Sequence, residues 1–432
     1  MKNFFKHIIL LAITAEAKAV VRRYRPHIVA VTGSVGKTST KDAIYEVIAH
    51  GTRVRKSQKS FNSELGLPLT ILGRPNAWSN PVGWIQNLLD GLFLVFFKSP
   101  YPDWLVLEVG ADRPGDIQSV ASWLPVDIAV ITRLPEMPVH VEFFSSPEQV
   151  VEEKAALIDA IKEDGTLVLY ADDARAADMR LRATGKHIVT FGFTKDVDVR
   201  AQNFTILYKE GDTAPTGMSA EVVSGGNSAP VEVLGTVGKH TLLPVLAAVA
   251  VGKVLGKNMT ESIQALQKYA TPPGRMRLLP GIKGSTIIDD TYNASPAAVS
   301  AALETLALVA PRGRKIAVIG DMLELGRHSV DEHRKLGTEA AATTDILITI
   351  GFRARDIAQG ALDANMPESA IFQYEDAERA GDELAAMIRQ GDTVLVKGSQ
   401  SMRMERTVKE IMAEPERASE LLVRQDEEWI KR

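Results

Sequence analysis

The chain has 432 residues, more than one hydrophobic core usually supports, so two or three domains are expected and a small stapled fold is excluded. With 45% hydrophobic, 24% charged and 6% aromatic residues its composition is that of ordinary globular protein, which excludes wholesale disorder, collagen and coiled coil. The 50 basic side chains face 54 acidic ones for a net charge of −4, so nucleic acid is not an expected partner; the lack of cysteine excludes disulfides, thiolate metal sites and cysteine nucleophiles, and fits a reducing compartment.

In chain order, residues 1–26 set Lys2, Lys6, Lys18, Arg22, Arg23 and Arg25 around a short apolar run from Ile8 to Ile13. The run imitates a secretory leader, but it is short, Glu16 lies inside the would-be cleavage site, and the segment continues directly into a buried strand. A basic, apolar helix is expected, either packed on the next domain or lying where its cations meet anionic lipid at the inner face of a membrane. Val82 to Phe97 is a second apolar segment; it contains Gln86, Asn87 and Asp90, is too short to span a bilayer comfortably, and reads as an amphipathic helix, core or docking surface.

From residue 27 onward, short β-branched runs alternate with segments of helical length, the pattern of parallel sheets covered by helices. Strands are expected at Ile28–Val31, Leu105–Val109, Ile128–Thr132 and Leu167–Tyr170, an antiparallel patch between about 197 and 234, and a helix over Leu242–Leu255. Thr271-Pro272-Pro273-Gly274 breaks the helical region and marks a boundary, giving a central domain over 27–272 and a second over 273–432. Beyond it, strands at Ile287–Asp289, Ile316–Ile319, Ile346–Ile350, Ile371–Tyr374 and Val394–Val396 imply a doubly wound, Rossmann-like α/β domain. The expected fold is therefore α/β, a mostly parallel central domain followed by that second one.

Val29-Ala30-Val31-Thr32-Gly33-Ser34-Val35-Gly36-Lys37-Thr38-Ser39-Thr40 reads as a strand, a glycine turn and a helix start. Glycines let backbone N–H groups close on phosphate oxygens, the helix N-terminus adds its positive end, Lys37 a point charge, and the Thr38 hydroxyl a magnesium ligand. Residues 32–39 thus form the nucleotide loop, although G-x-x-G-K-T is two residues shorter between its glycines than the common phosphate loop.

This shorter loop resembles that of the Mur ligases, ATP-dependent amide-forming enzymes of peptidoglycan precursor synthesis. Further motifs similar to that family follow in order: Phe61-Asn62-Ser63-Glu64 through Thr70, Leu107-Glu108-Val109-Gly110-Ala111, His140, Glu153-Lys154, and Asp289-Asp290-Thr291-Tyr292-Asn293-Ala294-Ser295-Pro296. Gly320-Asp321-Met322-Leu323-Glu324-Leu325-Gly326 and Val396-Lys397-Gly398-Ser399 resemble the branch that adds D-alanyl-D-alanine to a UDP-N-acetylmuramoyl-tripeptide. The resemblance covers about residues 27–412.

Glu108 ends a buried strand beside the loop strand, where a carboxylate can hold the magnesium that bridges ATP phosphates. The resemblance implies that His140 ligates a second magnesium, that Lys154 is carbamylated and helps that metal, and that Asn62, Arg275, Asp290 and Asn293 complete the nucleotide site. It assigns Lys37, Glu108, His140 and Lys154 to catalysis. Asp321, Glu324, Lys397 and Ser399, at the carboxyl ends of strands in the last domain, are assigned to the amine substrate. A cytoplasmic monomer acting on small molecules is expected, with a related ligase on another carboxylate, such as one extending folate, or a catalytically silent nucleotide-binding scaffold as alternatives.

Two departures from the family pattern stand out. Where members usually have Gly-x-His-Asn-x-x-Asn near the adenine, this chain reads Gly238-Lys239-His240-Thr241-Leu242-Leu243-Pro244, without either asparagine. The loop also begins at residue 32, so the separate uridine-nucleotide domain that the branch usually carries at its N-terminus is not expected; the acceptor is held by the remaining domains and the helix at 82–97, or is a different, lipid-linked carboxylate.

Overall fold

The computed structural model of the chain describes residues 2–58, 64–78, 80–211, 214–310, 312–426 and 429, with side chains from His7 onward. Phe61, Asn62 and Ser63 of the third motif lie outside the described residues.

Two sheets organise the described chain. The first is made of β1 (His27–Thr32), β2 (Val54–Lys56), β3 (Trp104–Glu108), β4 (Val126–Ile131), β5 (Ile161–Tyr170), β6 (His187–Gly192), β7 (Val199–Tyr208), β8 (Pro215–Ser224) and β9 (Asn227–Leu234). Their order is β2-β3-β1-β4-β5-β6-β7-β8-β9, parallel as far as β7 and antiparallel from β7 to β9. Its helices are α1 (Lys2–Tyr24), α2 (Lys37–Ala49), α3 (Gly66–Leu72), α4 (Pro81–Phe96), α5 (Asp116–Ala121), α6 (Pro147–Ala155), α7 (Ala174–Asp178), α8 (Leu243–Val254) and α9 (Met259–Leu266). The second sheet comprises β10 (Arg277–Pro280), β11 (Thr286–Asp290), β12 (Lys315–Gly320), β13 (Ile346–Ile350), β14 (Ile371–Tyr374) and β15 (Thr393–Lys397), in the order β10-β11-β15-β12-β13-β14. It is parallel except for the edge strand β10, and α10 (Pro296–Leu308) and α11 (Ser329–Thr343) cover one face.

Side-chain alternation explains why β1 and β3 read as unbroken apolar runs. Ile28, Ala30, Leu105 and Leu107 enter the layer that holds α1 and α3, whereas Val29, Val31 and Val106 enter the layer of α2 and α8. A strand buried on both faces has no polar side to show. The second sheet repeats the arrangement, with Ala317 and Ile319 on one side and Ile316 and Val318 on the other.

Helix α1 buries Ile13, Ala17, Val20 and Val21, a helical stripe, in the same core as Leu69 and Leu105. Its C-terminal end is fixed by Tyr24, whose ring stacks on Tyr101 at 4.6 Å between centroids. The Tyr24 hydroxyl donates to the carbonyls of Leu94 and Phe97 at 3.2 and 3.1 Å and accepts from the Ser99 amide at 3.1 Å. Midway, Glu16 faces Gly91 of α4 so closely that a Cβ there would lie 2.0 Å from its Oε2.

Glu16 is 8% exposed, and burial pushes its carboxyl from 4.5 up to about 7. The folded state holds this proton more tightly than the unfolded one, so stability is lost as the pH rises from about 4.5 through about 7. Glu16→Gln is therefore expected to raise Tm by a few degrees at about pH 8 and to leave it near wild type at about pH 4. Thermal scans at the two pH values decide it; equal shifts at both would take the effect away from the carboxylate charge.

Candidate active site

The phosphate loop is shaped from behind by the chain leaving β4. Gly33 has φ 141°, and a Cβ on it would sit 1.9 Å from the Thr132 hydroxyl, so no side chain fits. That hydroxyl donates to the Val35 carbonyl at 2.8 Å, and the Ser34 amide donates to the Arg133 carbonyl at 2.9 Å. Gly36, at φ 87°, turns the chain into α2 with its first amides pointing into the loop. Lys37 bends back to donate to the Gly33 carbonyl at 2.9 Å. Burial lowers the Lys37 pKa, and the neighbouring Glu108 carboxylate opposes that shift.

In front of the loop lies a cavity of about 590 Å³, walled by residues of both sheets. Ser34 through Ser39, Glu108 and His140 line it from the first; Arg275, Asp290, Asn293, Glu324 and Lys397 line it from the second. Contacts cross between the two walls. The Arg275 guanidinium donates to the Thr38 hydroxyl at 3.0 Å and lies 3.9 Å from the centroid of the Tyr292 ring. His140 Nδ1 lies 2.6 Å from Glu324 Oε2, and the Glu142 amide donates to the Glu324 carbonyl at 3.2 Å. His140 and Glu324 both hold left-handed backbone, φ 67° and 63°, uncommon outside glycine and concentrated at functional sites. The imidazole holds the Glu324 carboxyl below the usual carboxylate range.

Other candidate residues stand behind the wall. Thr32 is a fully buried strand residue, and Gly33 is the hinge of the loop. Asp321 accepts from the Ala354 amide at 2.7 Å, and the Ser399 hydroxyl accepts from the Leu323 amide at 2.8 Å, so both side chains brace the loops that present Glu324 and Lys397. Lys397 itself bonds Asp290 and the Asn293 carbonyl. Lys154, on α6, is 1% exposed; burial and then the Lys37 charge lower its pKa to about 7.

The donor set accommodates a divalent cation unevenly. Glu108, 1% exposed, and Thr38 offer the oxygen ligands that magnesium favours, on one wall of the cavity. No group of three or more His, Asp or Glu side chains close enough to hold a metal occurs among the described residues, and Lys154 as an amine offers no anionic oxygen.

Motif spacing did not reveal Arg133, Tyr170 and Phe191, which also line the cavity, and Thr241 and Tyr292, inside quoted motifs, were given no role there. Most follow or end strands already legible in the sequence, which is the one signal that could have found them. His240, flagged only for its missing asparagine neighbours, is in the wall too; burial pushes its imidazole down to about 4, so it is neutral near pH 7 with one nitrogen donor and one acceptor.

The Mur ligase middle domain matches residues 92–252, and the Mur ligase glutamate ligase domain matches residues 274–400. The UDP-N-acetylmuramoyl-tripeptide–D-alanyl-D-alanine ligase of Bacillus subtilis is 29% identical over 94% of this chain and 80% of its own length. The enzyme of that name from Mycobacterium leprae is 30% identical over 91% of this chain and 75% of its own. The crystal structure of the MurF ligase of Thermotoga maritima in complex with ADP, 29% identical, superposes with a TM-score of 0.75 over 93% of this chain and 83% of that one. With both domain matches in sequence order and that level of identity to full-length relatives, the chain belongs to the Mur ligase family.

Proposed function

We propose that the protein is an ATP-dependent carboxylate–amine ligase that joins D-alanyl-D-alanine to a UDP-N-acetylmuramoyl-tripeptide or a close variant of it in peptidoglycan synthesis. The observation that carries this reading is one cavity in which Lys37, Thr38 and Glu108, on the side of the first sheet, face Arg275, Glu324 and Lys397, on the side of the second. The relatives named for that reaction support the choice of substrates.

A substrate carboxylate oxygen attacks the γ-phosphorus; the new P–O bond forms as the bond to the β,γ-bridging oxygen breaks and ADP leaves. The amine of D-alanyl-D-alanine then attacks the acyl carbon, sheds a proton and expels phosphate. Lys37 and the loop amides stabilise charge spreading over the transferred phosphoryl group, and Arg275 closes the site from the second domain. Glu324 suits an incoming ammonium and Lys397 a carboxylate, the two charges of an amino-acid dipeptide. Walls from two domains, which we take as 27–272 and 273–432, exclude water that would hydrolyse the acyl phosphate. Neutral His240 supports recognition of the adenine edge in place of the absent asparagines.

Magnesium bound at Thr38 and Glu108 would neutralise phosphate charge. A second ion near His140 would meet the Asp112 and Glu324 carboxylates, 3.7 and 2.6 Å from the imidazole, and a carbamylated Lys154 would add a further anion. A lysine with a pKa near 7 is about half neutral at neutral pH, so the Lys154 nitrogen can attack carbon dioxide, forming an N–C bond with release of one proton. The carbamate would turn a buried cation into an oxygen ligand. We place the protein in the cytoplasm as a monomer, at the inner face of the membrane.

Three outcomes test this. Phosphate release from ATP should require both a UDP-N-acetylmuramoyl-tripeptide and D-alanyl-D-alanine; release no faster than with ATP alone would refute the assignment. Lys37→Met should lower kcat about 100-fold or more with Tm nearly unchanged, read by the same assay and a thermal scan. A carbamate carbonyl resonance should appear in ¹³C NMR on incubation with ¹³C-bicarbonate and vanish in Lys154→Ala, and bicarbonate removal should depress activity; no resonance in wild type would exclude the modified lysine.

A further inference from the structure

Helix α4 leaves one face unpartnered. Asn87 and Gly91 are buried, and Leu88, Leu94 and Val95 pack on the core, whereas Val82, Ile85, Leu89, Leu92, Phe93 and Phe96 are 42–70% exposed. Their spacing of three and four residues sets them in one stripe along the helix, and Phe97 extends it. Exposed side chain on that scale amounts to roughly 600 Å² or more, at or above the largest apolar patch of a typical soluble monomer, so a partner is implied. Ile8 and Leu11 of the adjacent α1 are exposed as well, and Trp78 stands exposed ahead of the helix.

Charge identifies the partner. The Tyr24 bonds to Leu94, Phe97 and Ser99 bring the C-terminal ends of α1 and α4 together. Arg22, Arg23, Arg25 and Lys98, all exposed, therefore gather at one end of the stripe. A shallow concavity there is lined by Arg25, His27, Arg53 and Lys98, and its one carboxylate, Asp103, is held by Arg53 at 2.8 Å. The only charged residue within α4 is Asp90, neutralised by Arg74 at 2.7 Å. A second copy of this face would thus bring cations and no free carboxylate from α4. At 16 residues α4 is about 24 Å long, and no helix among the described residues is long and apolar enough to cross a bilayer.

We propose that this face docks on an anionic membrane surface, with α4 in the plane of the interface, its apolar stripe among the acyl chains and the four cations against lipid phosphates. The inference sharpens the membrane location given above by making α4, rather than α1, whose main apolar stripe is buried, the inserting element. It does not depend on the ligase reading, because binding needs neither nucleotide nor substrate.

Flotation of the full chain with phosphatidylglycerol–phosphatidylcholine vesicles, against phosphatidylcholine alone, tests it. Wild type should float with the anionic vesicles and bind at least about tenfold more weakly to the neutral ones. Leu89→Ser/Phe93→Ser/Phe96→Ser should weaken binding to anionic vesicles about tenfold or more, and Arg22→Glu/Arg23→Glu/Lys98→Glu should abolish the preference for them. None of these six residues lines the catalytic cavity or is fully buried, so both variants should keep wild-type Tm. Wild type left unbound by anionic vesicles at low salt would overturn the proposal. So would vesicle binding that neither variant alters, or a dimer in sedimentation velocity that the triple serine variant dissolves while vesicle binding is absent.

Discussion

The active site depends on a contact with no room in it. The chain leaving β4 passes so close to the exit of β1 that only glycine fits at position 33, and Thr132 spends its hydroxyl holding Val35 in place. The strand order makes this approach available. After β1 the chain moves to one side for β2 and β3, then returns to the other side for β4, so β1 lies at the switch point where open α/β sheets leave a crevice. Glu108 at the end of β3 and Thr132 just after β4 therefore flank the loop from opposite sides. A side chain at position 33 would push the loop forward into the space its phosphates need.

Electrostatics then couples the two halves of the molecule. Lys37, Arg275 and Lys397 converge on one cavity and are balanced there by Glu108, Asp290 and Glu324. The positive groups lean on protein oxygens: Lys37 on Gly33, Arg275 on Thr38, Lys397 on Asp290 and Asn293. The acceptors of Lys37 and Arg275 are neutral, in a partly desolvated setting where like charges raise one another's cost, whereas Lys397 has a carboxylate. Lys154 registers that cost from beneath the floor, its ammonium disfavoured by burial and by Lys37. A polyphosphate would give Lys37 and Arg275 an anionic partner in common.

Much of the fold was legible because parallel strands buried on both faces leave continuous apolar runs, and β1, β3, β4, β5, β11, β12, β13 and β15 all carry them, while the edge strand β14 was found from its Ile-Phe start alone. The strands that spacing missed have reasons to be quiet. β2 is Val-Arg-Lys at a sheet edge, β10 is a short antiparallel edge strand containing Arg277 and Pro280, and β6 opens on His187. For the site, the loop and Glu108 could be read locally since strand, turn and helix adjoin in sequence. The partition between Glu324 and Lys397 in the wall and Asp321 and Ser399 behind it could not, because it depends on which way each loop turns: the left-handed Glu324 points out, and Asp321 is held in by the Ala354 amide. His240 was visible as a residue, whereas its neutrality arises from burial that only the assembled cavity provides.

The seat of α1 has a consequence for how the chain is made. Its buried stripe finds partners in α3, α4 and Tyr101, which come far later in synthesis, so an apolar segment must wait at the ribosome exit without its groove. Such a nascent helix exposes Ile13, Val20 and Val21 to any hydrophobic surface nearby until residue 101 has emerged. Its dense cations work against self-association during that interval, giving the basic character of the segment a second use before the mature fold exists.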